Sequence, residues 1–240
     1  MLMNTLILEK KDFLNKSGNI VKLDGRRAKH ILGIKKVTLG SSIKAGLLNG
    51  RLGTAIVKNI DFNCVTLEVL LKDEPSPPLP LSIILALPRP KMLKRILQTI
   101  ASLGVKQLYL VNSWKVEKSY WQSPQLNESK IREQLLLGLE QGCETFMPEV
   151  IIKQRFKPFL EDELLSIAKD THALVAHPSK TKFFPGEIKE NTMLAIGPEG
   201  GFTDYELQKF IEIGFKHLSL GTRIQRVETV IPLLVGKLFY

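Results

Sequence analysis

Apolar and polar positions alternate in short, closely spaced runs through the first third of the chain, and the rhythm changes after a proline cluster. The runs from Ile43 to Leu48, Gly53 to Ile60 and Val65 to Leu71 read as strands, with Asn49-Gly50 as a two-residue hairpin turn between the first two. Together with one helical stretch from Arg26 to Ile34, they predict a small β-barrel. The cluster Pro75-Ser76-Pro77-Pro78-Leu79-Pro80 marks a boundary, giving domains over 1–74 and 75–240. Beyond it, a strand from Leu81 to Leu87 leads into Met92, Leu93, Ile96, Leu97, Ile100 and Leu103 at helical spacing, stopped by Gly104. Strands at 107–111, 150–152, 173–176, 193–196 and 216–220 then mix with helices at 128–141, 159–168 and 207–213. Alternation of this kind predicts an α/β domain with a parallel sheet and crossover helices.

Two of those strands run into glycine bends. The first, Ile196-Gly197-Pro198-Glu199-Gly200-Gly201-Phe202-Thr203, follows a wholly apolar strand, and Thr203 with Glu206 has the spacing of a capping box. Three glycines in five positions permit positive φ and close approach of a ligand to the main chain, and a helix start presents unpaired N–H groups. The pattern matches neither a phosphate-binding P-loop nor a dinucleotide fingerprint, so a simple tight turn with a capped helix competes with a binding role. The second bend, Leu218-Ser219-Leu220-Gly221-Thr222-Arg223-Ile224-Gln225-Arg226-Val227-Glu228-Thr229, repeats the strand-to-glycine arrangement and adds two arginines and a glutamate.

The two bends, in this order and spacing, resemble those of the 16S ribosomal RNA uridine-N3 methyltransferase family, one of the trefoil-knotted (SPOUT) methyltransferases. Supporting stretches are Gly25-Arg26-Arg27-Ala28-Lys29-His30-Ile31-Leu32, Gly46-Leu47-Leu48-Asn49-Gly50, Val116-Glu117-Lys118-Ser119-Tyr120-Trp121-Gln122-Ser123-Pro124 and Gly138-Leu139-Glu140-Gln141. The resemblance implies a PUA-like RNA-binding barrel before a knotted α/β domain, S-adenosylmethionine as methyl donor, 16S rRNA in the small ribosomal subunit as substrate, and a homodimer. It places Gly197, Glu199, Gly200, Gly201, Leu220, Gly221 and Ile224 around the donor. The chain departs from the family pattern at Thr222, Gln225 and Val230, carries Pro232 in what should be the first turn of a last helix, and reads Gln141-Gly142-Cys143-Glu144 where a Gln-Ser-Gly-Arg turn is usual.

Charge adds to the picture. The net charge is +10 and residues 1–72 hold 13 Lys and Arg against 5 Asp and Glu, so most of the surplus lies in the first domain. Such asymmetry suits a polyanion, and Arg26, Arg27, Lys29, His30, Lys35 and Lys36 cluster, making them candidate phosphate contacts with Arg223; a merely basic surface is the alternative. Trp114, Lys115, Lys118, Tyr120 and Trp121 interleave aromatic and cationic side chains, fit either for stacking on RNA bases or for anchoring a loop. Only Cys64 and Cys143 are present, which argues against a disulfide framework or zinc site and for buried free thiols. No apolar run reaches membrane-spanning length and the start lacks a signal-peptide pattern, so the expectation is a cytoplasmic protein with no membrane or metal.

If uracil N3 is the acceptor, the ring nitrogen is itself the nucleophile once deprotonated. Carbon methylation would want an activated cysteine, and neither cysteine lies beside the bends in sequence. Arg226 is the candidate for stabilising charge on the uracil oxygens, and Glu228 for orienting Arg226 or taking the proton; an ordinary ion pair at a helix start is the other reading. His177 ends a strand, where α/β proteins place ligands, and is either structural or part of the site. Ribose 2′-O or other base-nitrogen methylation, and a non-catalytic assembly factor that binds RNA, remain open alternatives.

Overall fold

The computed structural model describes residues 4–14, 19–33, 36–178 and 184–240. They form two compact units, 1–77 with Leu135–Met147, and Pro78–Gln134 with Pro148–Tyr240. The proline cluster lies where the first segment of the first unit ends, and no change in local pattern marks Leu135–Met147 as its second segment.

The first unit is a five-stranded sheet of β1 (Leu6–Leu8), β2 (Ile20–Leu23), β3 (Ser42–Leu47), β4 (Leu52–Ile60) and β5 (Val65–Asp73), ordered β1-β3-β4-β5-β2. Phe13, which follows a short helical turn after β1, makes an isolated antiparallel bridge to Val21 of β2, so the chain leaving one edge strand curls round to the other. Alternation is visible in β5, where Val65, Leu67 and Val69 turn into the core. β1 and β2, with three and four residues, are too short to leave a periodic signal in the sequence. Helix α1 (Gly25–Gly33) plugs the barrel with Ala28 and Ile31. The hairpin forms at Asn49-Gly50, with Asn49 at φ 56°. Residues 145–147 complete it: Asn49 N–H donates to Thr145 O at 2.8 Å, Thr145 Oγ1 to Gly50 O at 2.7 Å, and Met147 N–H to Asn49 Oδ1 at 2.8 Å.

In the second unit β6 (Leu79–Ala86), β7 (Val105–Val111), β8 (Glu149–Lys153), β9 (His172–Ala176), β10 (Thr192–Ile196) and β11 (Lys216–Leu218) form one parallel sheet ordered β11-β9-β10-β6-β7-β8. All five residues of β10 are buried, and the four after Thr192 are apolar, as a strand of a parallel sheet covered on both faces requires. The helices are α2 (Pro90–Ser102), α3 (Glu128–Gly142), whose residues from Leu135 on belong to the first unit, α4 (Phe156–Pro158), α5 (Leu165–Ile167), α6 (Asp204–Glu212) and α7 (Val227–Phe239). Between α4 and α5 the helix expected at 159–168 is wound as a wider π turn over Phe159–Leu164. Pro232 is the sixth residue of α7, not a first-turn residue; it removes the N–H that would bond Glu228 O and stands on an exposed face. No described helix is long and apolar enough to cross a membrane. The fold class is the expected one, a small β-barrel and a parallel α/β domain.

Candidate functional site

Three neighbouring strands of the second unit, β11, β9 and β10, point their C-terminal ends the same way, and the chain bends at glycines after β10 and after β11. The bend after β10 is a tight turn in which Gly201 N–H donates to Pro198 O at 2.8 Å. Its glycines serve different ends. A Cβ on Gly197 would lie 2.8 Å from Phe202 N and 3.2 Å from Gly201 C, so a side chain there collides with main chain; Gly201 needs φ +69°. Beneath the turn Phe202, 3% exposed, packs on Phe210 with ring centroids 5.0 Å apart, and Phe210 on Phe215 at 5.1 Å. The predicted capping box is present: Glu206 N–H donates to Thr203 Oγ1 and Thr203 N–H to Glu206 Oε2. Glu206 is buried, and its other oxygen accepts Trp114 N–H at 2.8 Å. One carboxylate thus fixes both the helix start and the loop after β7.

The bend after β11 turns at Gly221, φ +104°, whose N–H donates to the buried Ser219 Oγ at 3.1 Å. The two bends face one cleft. Ile196, Leu218, Leu220, Val227 and Leu234 give it apolar walls, and Gly197, Glu199, Gly200, Gly201, Gly221 and Ile224 also line it. Among the described residues, the N–H groups of Leu220 and Ile224 have no hydrogen-bond acceptor. Ile224 is 80% exposed, an apolar residue with little of the chain packed on it.

The charged candidates divide. Arg223 lines the cleft, along with Gln225 and Val230, whereas Arg226, the residue before α7, is exposed outside its lining. Glu228 is half-buried in the first turn of α7, and among the described residues no ion pair joins it to Arg226. Glu199 is tied elsewhere: Oε1 accepts Arg89 N–H at 3.2 Å at the start of α2. His177 lines the cleft beside Gly201. Burial, then the neighbouring His217 and Lys115, lower its pKa against the opposing pull of Asp204, so its imidazole favours the neutral form. Its carbonyl oxygen lies 2.9 Å from His217 Nε2. Lys115, set in sequence among possible base-stacking residues, reaches back to donate to Gly200 O at 2.8 Å.

The basic cluster of the first unit is partly consumed by the fold. Arg27 was a candidate phosphate contact, but its side chain is only 17% exposed and its guanidinium grips Asp12 through two bonds of 2.6 Å and Ile7 O through a third at 3.1 Å. That pairing raises its pKa and leaves no fork for a phosphate. Arg26 makes a two-bond pair with the buried Glu140, yet its side chain is half exposed. Lys29 and Lys36 are exposed and His30 half-buried; Lys35 lies outside the described residues. The cysteines are half-buried rather than buried, Cys143 at φ +58° just past α3 and Cys64 donating to Asp61 Oδ2 at 3.2 Å. Among the described residues no three His, Cys, Asp or Glu side chains converge as a metal site would require.

A family model described as an RNA methyltransferase domain matches residues 75–238, the whole of the unit that carries the cleft save its end. The chain belongs to this RNA methyltransferase family. Among its relatives is the ribosomal RNA small subunit methyltransferase E of Treponema pallidum, 28% identical over 232 residues, covering 95% of this chain and 87% of that protein. A protein of Borreliella burgdorferi called ribosomal RNA small subunit methyltransferase E 1 is 26% identical over 95% of this chain and 93% of its own length. Among solved structures, the ribosomal RNA small subunit methyltransferase E from Neisseria gonorrhoeae, bound to S-adenosyl methionine, superposes with a TM-score of 0.78 at 21% identity, over 98% of this chain and 95% of that one. At that identity the likeness establishes the methyltransferase fold.

Proposed function

We propose that this RNA methyltransferase transfers the methyl group of S-adenosylmethionine to N3 of one uridine in 16S ribosomal RNA. The observation that carries the reading is the convergence of the two bends on one cleft in a chain of this family. The cleft suits the donor: apolar walls for an adenine and the methylene groups beside the sulfonium, and two N–H groups, of Leu220 and Ile224, with no acceptor among the described residues, for hydrogen-bond acceptors on the donor's rim. The S-adenosyl methionine of the Neisseria protein supports the choice of donor, and the names of the relatives support small-subunit rRNA as the substrate.

Bound in the cleft, the donor supplies an electrophilic methyl on a sulfonium. The chain's own residues do the rest. Gly197, Gly200, Gly201, Leu220, Gly221 and Ile224 hold it through main-chain and apolar contact, with Glu199 positioning the first bend through Arg89. Arg226, exposed and next to the lining residue Val227, offers a multi-donor cation to the uracil carbonyl oxygens as negative charge grows there. Glu228 receives the N3 proton, directly or through water. Arg223 holds an RNA phosphate at the cleft, and Arg26, His30 and Lys36 hold others on the barrel, with Lys35, outside the described residues, a further candidate by its place in the sequence; such contacts set register and salt dependence. The exposed Ile224, Leu233 and Tyr240, which lie before, on and after the last helix and which a lone chain leaves in water, support a homodimer built around that helix. Action on ribosomal RNA fits a cytoplasmic protein.

The test is to incubate purified protein and labelled S-adenosylmethionine with small subunits and with naked 16S rRNA, then map the product by nuclease digestion and mass spectrometry. A single N3-methyluridine is expected. A 2′-O-methyl nucleotide, or no transfer despite RNA binding, overturns the proposal in favour of the other acceptor or a non-catalytic factor.

A further inference from the structure

A second groove lies in the same unit, walled by the loop after β7, by α4 and by the start of α6. Its volume is about 1050 Å³, and Trp114, Lys118, Lys157, Thr203 and Tyr205 line it. Trp114 is 86% exposed although it is the larger kind of apolar side chain that folding ordinarily buries. Nor is it a side chain on a loose loop. Its own N–H is held by buried Glu206, Val116 N–H closes a turn on Ser113 O at 3.0 Å, and Trp121, the anchor of the pair, donates from Nε1 to Asn112 Oδ1 at 3.0 Å. A loop fixed by two backbone bonds and one between side chains holds an indole in solvent. Across the groove Tyr205 is 55% exposed.

The polar lining is equally one-sided. Lys118 is exposed, and Lys157 stands 3.9 Å from Glu161, a loose contact that leaves its ammonium available. The carboxylate in the lining, Glu206, is buried and already accepts three hydrogen bonds or more. Ser113, also in the lining and nearly inaccessible, has a hydroxyl with no partner among the described residues. An exposed flat aromatic, a second ring and two cations make the chemistry of a nucleobase between phosphates.

From this groove we infer that the protein holds a single-stranded RNA nucleotide outside the methylation cleft, with its base stacked on Trp114 and its flanking phosphates on Lys118 and Lys157. The inference rests on the proposed action on RNA. The groove's wall is the continuation of the cleft's: Gly201 lines one and Thr203 the other, while Lys115, next to Trp114, bonds Gly200 O. A strand that delivers one base to the cleft therefore passes its neighbour over the indole. Stacking reads no sequence, so the groove sets affinity and register, not base identity.

The experiment titrates short single-stranded oligouridine into the full chain while following tryptophan emission, and repeats it with Trp114→Ala and Trp114→Phe. Expected are quenching in the parent protein, no quenching and affinity weaker by about tenfold in Trp114→Ala, and recovery of most of that affinity in Trp114→Phe. S-adenosylmethionine binding, followed by calorimetry, should be the same in all three. Absence of quenching in the parent, or equal affinity in Trp114→Ala, overturns the inference. So does a change in association state in place of RNA affinity, which would make the groove a protein interface. Failure of the parent protein to bind S-adenosylmethionine would instead strike the methyl-transfer reading and leave the groove result standing.

Discussion

Gly197→Ala places the smallest possible side chain where the first bend folds back on itself. The new Cβ would meet Phe202 N at 2.8 Å, Gly201 C at 3.2 Å and Phe202 Cδ2 at 3.2 Å, against about 3.4 Å for an ordinary contact. Two of those atoms are main chain and the third belongs to a ring packed on Phe210, so none rotates aside. About 0.6 Å of backbone movement must be absorbed, and overpacking of this order costs about 1–3 kcal/mol. The movement falls on Gly201 and its neighbours, which line the cleft, so donor affinity should drop by roughly tenfold or more while the fold survives. Gly200→Ala is the control: its Cβ meets the flexible Lys115 Cδ at 3.0 Å, and the lysine can move. Calorimetry with S-adenosylmethionine and urea unfolding of both variants would measure the two effects. Parent-like affinity in Gly197→Ala, with unfolding unchanged, would refute the claim that this bend shapes the site.

The remaining expectations concern the rest of the chain. Arg27→Ala leaves buried Asp12 without its partner and should lower stability by about 3–5 kcal/mol in denaturant unfolding, with the salt dependence of RNA binding unchanged; Lys36→Ala should do the reverse. Cys143→Gly relieves a non-glycine residue at φ +58° and should stabilise by about 1 kcal/mol in the same assay. His177 has its pKa lowered in the folded chain, so folding favours the neutral ring: its stability contribution is full above the ordinary value of 6.5 and is lost as pH falls from there through the folded value. His177→Gln should flatten the decline in unfolding free energy across that acidic window, and an unchanged decline would assign it to other groups.

Local pattern carried much of this molecule. The hairpin at Asn49-Gly50, the capping box of Thr203 and Glu206, and the run of α2 are each written in a few adjacent residues, and each appears where the sequence puts it. The two bends could be paired only through a family resemblance, because nothing in local spacing says that the strands before them lie side by side; in the sheet β9 separates β11 from β10. What was illegible depends on distant partners. Arg27 looks like its neighbour Arg26 in sequence, but α1 turns it towards Asp12, fifteen residues back. Leu135–Met147 reads as helix and loop of the α/β half, yet Glu140 and Thr145 bond to the barrel. Trp114 and Trp121 are alike on paper, and only the Asn112 contact separates the anchor from the exposed ring.

The main-chain cradle is tested most directly by hydrogen–deuterium exchange of the full protein with and without S-adenosylmethionine. Protection should appear at 197–201 and 220–225, including the N–H groups of Leu220 and Ile224, which have no acceptor among the described residues. Saturable binding with protection elsewhere, or no protection at a donor concentration that supports methyl transfer, would contradict it.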